Sequence, residues 1–190
     1  SINSQSDKLV ISYFFPLKVF GYYSMVSVLA QIPVLVTVPL ASFVFPILSK
    51  FAVKEQDKIT FLSVFQKFSF LLNLVIIPLS IVVCFFSLEL LLVWAKNAIE
   101  VNLYDDLSLL LVSLTIGSLF LAIQFPFYYV LLAKSRTKYT VYQGIVQISI
   151  GVPLLVLCAK YYGLKFVGIP WIIINCFAFF YLGYICIKKF

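Results

Sequence analysis

Residues 107–132 read LSLLLVSLTIGSLFLAIQFPFYYVLL and contain no charged side chain. A helix needs about 20 apolar residues to cross the hydrocarbon core of a bilayer. Four other apolar segments are long enough to cross it as well, at residues 22–48, 61–86, 139–159 and 167–187. None of them shows the alternating polarity of barrel strands, and a backbone within lipid must satisfy its polar groups internally. We therefore predict an all-α integral membrane protein with five full transmembrane helices.

The composition supports this fold class and excludes several functions. Hydrophobic residues make up 63% of the 190 residues and charged residues 11%, against about 45–50% and about 25% in soluble domains. The chain has no histidine, and its four cysteines lie apart in apolar surroundings. We therefore predict no metal, no cofactor and no catalytic residues, with the cysteines packed as small apolar side chains. The net charge of +7 includes a single arginine, so we predict no nucleic-acid partner.

The basic residues are instead read as signals of membrane topology. With the loop after the first full helix placed in the cytoplasm, nine of them fall on the cytoplasmic side: Lys50, Lys54, Lys58, Lys67, Lys134, Arg136, Lys138, Lys188 and Lys189. Four fall on the opposite side: Lys18, Lys96, Lys160 and Lys165. This asymmetry follows the positive-inside rule and predicts a cytoplasmic C-terminus. Tyrosines and tryptophans near the predicted helix ends, among them Tyr23, Trp94 and Trp171, are expected at the membrane interface.

The opening stretch, SINSQSDKLVISYFFP, places two opposite charges against an apolar run. We predict that residues 1–15 are the end of a sixth helix cut off upstream, the alternative being a solvated leader. As a helix the stretch has one polar half, which holds Asn3, Gln5, Asp7, Lys8 and Ser12. Polar groups within a span face a bundle interior or a wet cavity, so these five are candidates for lining a transport pathway. Alternatively, Asp7 and Lys8 sit at the interface and snorkel into water.

Two later segments add polar candidates. Ser24 and Gln31 lie on one side of the first full helix, which also contains Pro33, Pro39 and Pro46. Three prolines in one span predict a bent or hinged helix, although prolines are also commoner in membrane helices generally. Gln124 is the candidate from residues 107–132. Its alternative role is hydrogen bonding between helices, as for Gln143, Gln147 and Asn175.

Several short motifs occur in a characteristic order along the chain. They are QSDKL at residues 5–9, GYYS at 21–24, FPILSK at 45–50, FFSLELLLVWAK at 85–96, LLAKSRTKYT at 131–140 and YYGLKFVG at 161–168. In this order they resemble the C-terminal half of bacterial polysaccharide and O-antigen flippases, within the multidrug/oligosaccharidyl-lipid/polysaccharide exporter superfamily.

The resemblance implies a twelve-helix transporter of two six-helix lobes. Residues 1–190 would form a single transmembrane domain, one lobe made of helices seven to twelve, in the bacterial inner membrane. Its substrate would be an undecaprenyl-diphosphate-linked oligosaccharide, flipped among membrane lipids by alternating access and coupled to a proton or sodium ion. Lys8 would attract the anionic head group, and Asp7 would tune Lys8 or carry the proton. Ser24, Gln31 and Gln124 would hydrogen-bond sugar hydroxyls.

The chain departs from the family in having no arginine in any predicted span, although such cavities are often cationic. Three alternatives therefore stay open. The chain could export a drug or another lipid-linked precursor, as other members of the superfamily do. It could belong to a membrane-embedded polysaccharide polymerase or acyltransferase, or it could be a non-transporting scaffold of helices.

Overall fold

The computed structural model describes residues 6–52, 58–95 and 99–189. Within these ranges the chain forms helices and no strand. The α-helices are α1 (Ser6–Phe14), α2 (Leu17–Ala30), α3 (Ile32–Ala52), α4 (Lys58–Phe85), α5 (Ser87–Ala95), α6 (Tyr104–Ala133), α7 (Thr137–Tyr161) and α8 (Gly168–Lys189). Short 3₁₀ turns, Val101–Leu103 and Leu164–Phe166, precede α6 and α8.

Five stretches are long and apolar enough to cross a membrane, which confirms the predicted all-α class. They are Ile32–Ala52, Ile59–Phe85, Val101–Ala133, Thr137–Tyr161 and Leu164–Lys188. Four of them agree with the predicted segments to within a few residues at most ends. The segment predicted at residues 22–48 differs, because the structure divides it between α2 and α3.

The division lies at Gln31, two residues before Pro33. Proline has no backbone N–H, so Pro33 cannot donate to the carbonyl of Leu29 as an interior helical residue would. The backbone N–H of Gln31 donates to the Val28 carbonyl at 3.3 Å, which closes the last turn of α2. Helix α3 then begins, with the backbone N–H of Leu35 donating to the Gln31 carbonyl at 2.9 Å. The predicted bend is therefore a local break in the helix at Gln31, whereas α3 continues through Pro39 and Pro46.

Helix α6 is the centre of the bundle and packs against α2, α3, α4, α5, α7 and α8. Its closest neighbour is α8, and two glycines allow that approach. A Cβ at Gly117 would overlap the side chain of Trp171, and one at Gly168 would overlap the side chain of Ser113. Small residues let membrane helices approach closely in this way. The α6–α8 pair is therefore a fixed wall against which the other helices lie.

Helices α1 and α2 form a hairpin whose turn is at Pro16. The side chain of Tyr23 on α2 donates a hydrogen bond of 2.7 Å to the Asp7 carboxylate on α1, so the two helices lie side by side. Ile11 of α1 and Val26 of α2 are both fully buried in one apolar cluster that also includes Leu111 of α6. The hairpin is thereby attached to the central helix.

The two ends of the bundle differ in charge. At one end, an apolar cluster that includes Leu48, Phe61, Leu131 and Ile185 lies beside the helix ends that bear Lys50, Lys134 and Lys188, and the Lys134 ammonium is 4.7 Å from the centre of the Phe61 ring. At the opposite end, two lysines form ion pairs with acids, Lys18 with Glu100 at 2.6 Å and Lys165 with Asp106 at 3.7 Å.

Candidate functional site

A cavity of about 330 Å³ lies between the α1–α2 hairpin, the start of α3, and helices α6, α7 and α8. Its lining on α6 runs from Leu114 to Phe125, which is the middle of that helix. Most of the lining is apolar, and the polar side chains are Asp7, Tyr23, Ser27, Gln31, Ser118 and Gln147. Polar side chains beside the middle of a membrane helix are unusual, because polar groups within a membrane are costly unless they have partners or a function.

Asp7 is the only carboxylate among the described lining residues. One of its oxygens, Oδ2, accepts the hydrogen bond from the Tyr23 hydroxyl. The other, Oδ1, is buried and has no hydrogen-bond partner among the described residues. A buried acceptor without a partner is costly, and Oδ1 has almost no accessible surface in this conformation. Asp7 as a side chain lines the cavity, so a ligand that donates a hydrogen bond to Oδ1 after a small rotation of the carboxylate would relieve that cost.

The helix break at Gln31 borders the same cavity. Gln31 is exposed and lines the cavity, as do Ala30 before it and Val34 after it. Its amide group offers both a donor and an acceptor. The break therefore places an interruption of the helix and a side chain that can both donate and accept hydrogen bonds beside the cavity.

Trp171 forms the aromatic part of the lining, together with Phe125. Its indole Nε1 donates to the Ser118 hydroxyl at 3.4 Å, and its side chain packs against the backbone of Gly117. Both contacts come from α6, so the close approach of α6 and α8 positions the indole. The sequence predicts Trp171 at the membrane interface, and the structure shows it partly buried against α6 and lining the cavity.

A chain of buried amides lies beside the cavity. The Gln143 amide donates to the Gln124 side-chain oxygen at 3.4 Å, and the Gln124 amide donates to the Asn175 oxygen at 3.4 Å. The Asn175 amide in turn donates to the Trp171 carbonyl at 2.8 Å. These bonds join α6, α7 and α8. Hydrogen bonding between helices is the role that the sequence offers for these residues as the alternative to substrate contact.

The structure separates the sequence-predicted site residues into two groups. Asp7 and Gln31 line the cavity. The described lining does not include Lys8, Ser12, Ser24 or Gln124. Ser12 is exposed and bonds the Leu9 carbonyl, Ser24 bonds the Phe20 carbonyl, and Gln124 is 2% exposed within the amide chain. Asn3 and Gln5 lie outside the described residues.

Asp7 and Lys8 are neighbours in the sequence, but their side chains do not form an ion pair in the structure. Side chains at successive helical positions point about 100° apart, and Asp7 has Tyr23 as its partner. Within the described part of the chain, Lys8 has neither an ion pair nor a hydrogen bond. Tyr23, only 1% exposed, is the lining residue that sequence reasoning misses most clearly, because it is expected at the interface.

The cysteines are free, with Cys186 buried and Cys84, Cys158 and Cys176 partly buried. In the ranges that the structure describes, no three histidine, cysteine, aspartate or glutamate side chains come together as candidate metal ligands.

Comparison with protein-family models gives one finding. Residues 1–97, about half of the chain, match the family described as "Polysaccharide biosynthesis protein". No curated protein and no solved structure gives a significant match. The matched part includes Asp7, Tyr23 and Gln31, which form the α1–α3 wall of the cavity.

Proposed function

We propose that this chain, which belongs to the polysaccharide biosynthesis protein family, is one lobe of a flippase for lipid-linked oligosaccharides. The family and the apolar helices indicate a multi-pass membrane protein of transporter type. The finer proposal is that it moves undecaprenyl-diphosphate-linked repeat units across the bacterial inner membrane by alternating access. Such a protein performs no covalent chemistry.

One observation carries this proposal: the partly polar cavity lies at the middle of α6 and beside the helix break at Gln31. Transporters commonly place substrate sites near the bilayer midplane, where a helix is interrupted. A scaffold of helices would have no need for a buried carboxylate oxygen with no partner among the described residues, or for an exposed amide beside it. The cavity therefore favours transport over a purely structural role.

In the proposed cycle the α1–α2 hairpin and the break at Gln31 are the moving parts. The α6–α8 pair is closely packed. The Asp7–Tyr23 bond lies within the hairpin, and the hairpin contacts the rest of the bundle through the apolar cluster with α6 and the exposed Lys18–Glu100 ion pair. Rocking of the hairpin would open the cavity toward one side of the membrane. The coupling proton or sodium ion would act at Asp7, and Lys8 would attract the diphosphate outside the cavity.

The test of the proposed function is deletion of the complete gene in the organism that carries it. Loss of a flippase should abolish surface polysaccharide and leave lipid-linked repeat units in the inner membrane, protected from reagents added outside intact cells. Loss of a polymerase would instead leave single repeat units at the surface, and loss of an acyltransferase would leave unmodified polysaccharide. Either of those last two outcomes would exclude the proposal.

The roles of Asp7 and Lys8 are tested by complementation of that deletion. We expect Asp7→Asn and Lys8→Ala, singly and together, to lower surface polysaccharide at an unchanged protein level. Asp105→Asn is the control, because Asp105 is exposed in the first turn of α6 and away from the cavity. Unchanged polysaccharide in all three variants would show that neither residue has a role in transport.

A second candidate function is export of amphipathic organic cations. The lining favours it because one carboxylate lies in a cavity with the aromatic rings of Trp171 and Phe125, and cations bind aromatic faces as well as acids. If this candidate holds, deletion should raise sensitivity to cationic drugs and leave the surface polysaccharide intact.

A further inference from the structure

The sign of charge in the cavity is the opposite of what a diphosphate needs. Asp7 is the one lining side chain with a formal charge, among all the residues that the structure describes there. Neither lysine nor arginine is part of this lining. A phosphate or a carboxylate entering the cavity would meet a like charge, and like charges are strongly unfavourable where water is scarce.

The polar groups of the cavity suit a ligand that donates hydrogen bonds. Asp7 Oδ1 is an acceptor without a described partner, and the Gln31 amide supplies a further acceptor and a donor. Sugar hydroxyls and ammonium groups are donors of this kind. An ammonium group would gain further from the Asp7 charge and from the aromatic rings.

The apolar groups suit one flat face of a sugar ring. Trp171 is held by Ser118 and by the backbone of Gly117, so its indole presents a fixed surface, with Phe125 also in the lining. The volume of about 330 Å³ is at the lower end of the range of about 300–1,000 Å³ for ligand pockets. A single ring fits this volume better than a whole oligosaccharide.

We propose that the cavity is a subsite for one neutral or amino-bearing pyranose ring, and that Asp7 excludes acidic sugars and the diphosphate from it. This inference rests on the proposed function, because it takes the ring to be part of the transported oligosaccharide. Charge selection by Asp7 thus divides the substrate, with the saccharide in this lobe and the diphosphate held elsewhere.

The test compares three probes that differ at one substituent: the methyl glycosides of glucose, glucosamine and glucuronic acid. Binding to the full-length protein in lipid nanodiscs is measured at pH 7 by saturation-transfer NMR. Sugar detergents are left out, since they would compete. We expect the glucoside and the glucosaminide to bind, and the glucuronide to bind at least about tenfold more weakly because of like-charge repulsion.

Two substitutions change the charge of the cavity, each with a matched control. Asp7→Asn removes the one formal charge of the described lining, and Gln31→Lys offsets it with a positive charge. Either variant should therefore bring the glucuronide to within about threefold of the glucoside. Asp105→Asn and Gln66→Lys make the same changes at exposed positions outside the described lining. They should leave the glucuronide bound as weakly, relative to the glucoside, as in the unmodified protein. Because Gln31 is exposed, its variant tests the proposal even if Asp7→Asn does not fold.

Equal binding of all three probes to the unmodified protein would overturn the inference, and so would an undiminished difference between glucoside and glucuronide in Gln31→Lys. Absence of binding by every probe, in protein that still flips lipid-linked oligosaccharide in vesicles, would remove this subsite and leave the proposed function standing. Protein that keeps the sugar selectivity but does not flip lipid-linked oligosaccharide would support the subsite and exclude the proposed function.

Discussion

At the scale of single residues, the contact between Tyr23 and Asp7 decides how the site is built. The Tyr23 hydroxyl is the one described partner of that carboxylate, and it comes from a residue sixteen positions later. Helical periodicity indicates which side of a helix is polar, but it does not tell which neighbouring helix that side meets. The sequence therefore points to Asp7 and Gln31, and it does not point to Tyr23 or Trp171.

Tyr23→Phe should lower stability, because it removes the donor and leaves the Asp7 carboxylate with no described partner. Interhelical hydrogen bonds in membranes contribute about 1 kcal/mol, and an ionised acceptor puts this one toward about 2 kcal/mol. The measurement is thermal unfolding in nanodiscs. Tyr13→Phe, on the same hairpin but at a side chain that is 84% exposed, should change stability by less than about 0.5 kcal/mol. Equal melting temperatures for the two variants would contradict the prediction.

Gln124→Leu should also destabilise the protein, since it leaves the Gln143 amide without an acceptor and the Asn175 oxygen without a donor. Both bonds are long, so we expect a loss of about 1 kcal/mol in the same unfolding assay. Gln66→Leu, at an exposed position of α4, is the control. A neutral Gln124→Leu that lowers transport would instead favour the role in substrate contact predicted from the sequence.

At the scale of elements, segment length and composition predict the helices well and their interruptions poorly. The apolar runs give α4, α6, α7 and α8 nearly complete, because each is long enough to cross the membrane. Three prolines fall in the 22–48 segment, and only the one at Pro33 coincides with a break. The other prolines are accommodated within α3, and composition alone does not distinguish these outcomes.

Gly117→Ala should destabilise the α6–α8 contact, because the new methyl group would overlap Trp171. Overpacking of this kind costs about 1–3 kcal/mol. Gly21→Ala is the matched control within a helix, with nothing within 4 Å of the added atom, and it should be neutral or stabilise by up to about 1 kcal/mol. Thermal unfolding of both variants gives the comparison, and a Gly117→Ala protein as stable as the control would refute close packing here.

At the scale of the whole molecule, the charge asymmetry of the two ends sets the expected orientation. Sequence counting assigns bases to alternate loops, and the structure brings Lys50, Lys134 and Lys188 to one end of the bundle. The grouping of these lysines could be predicted from the sequence, because successive spans run in opposite directions and alternate loops therefore lie at the same end. The cavity inside the bundle could not be predicted in this way, since it is formed by the α1–α2 hairpin together with four further helices, α3, α6, α7 and α8.

Impermeant maleimide labelling of intact cells tests the orientation, in a background with the four cysteines replaced by alanine. With the basic end in the cytoplasm, Asn102→Cys should be labelled and Thr137→Cys should be protected until the cells are opened. Both positions are exposed, Asn102 in the 3₁₀ turn before α6 and Thr137 at the start of α7, after the other end of α6, so the two are matched in exposure. Labelling of Thr137→Cys alone in intact cells would invert the proposed topology.

The break at Gln31 also has a consequence for the surrounding lipid. Between Lys18 and Lys50 the chain runs through α2 and α3 without a charged residue, and at 1.5 Å per residue this is about 46 Å of helix. The hydrocarbon core is about 30 Å thick. Tilt, bending or local thickening of the bilayer can accommodate the excess, and Gln31 is the place along it where one helix ends and the next begins. Bilayer thickness should therefore affect the shape of the cavity, because thinner membranes favour a sharper angle between α2 and α3 at Gln31, which lines it.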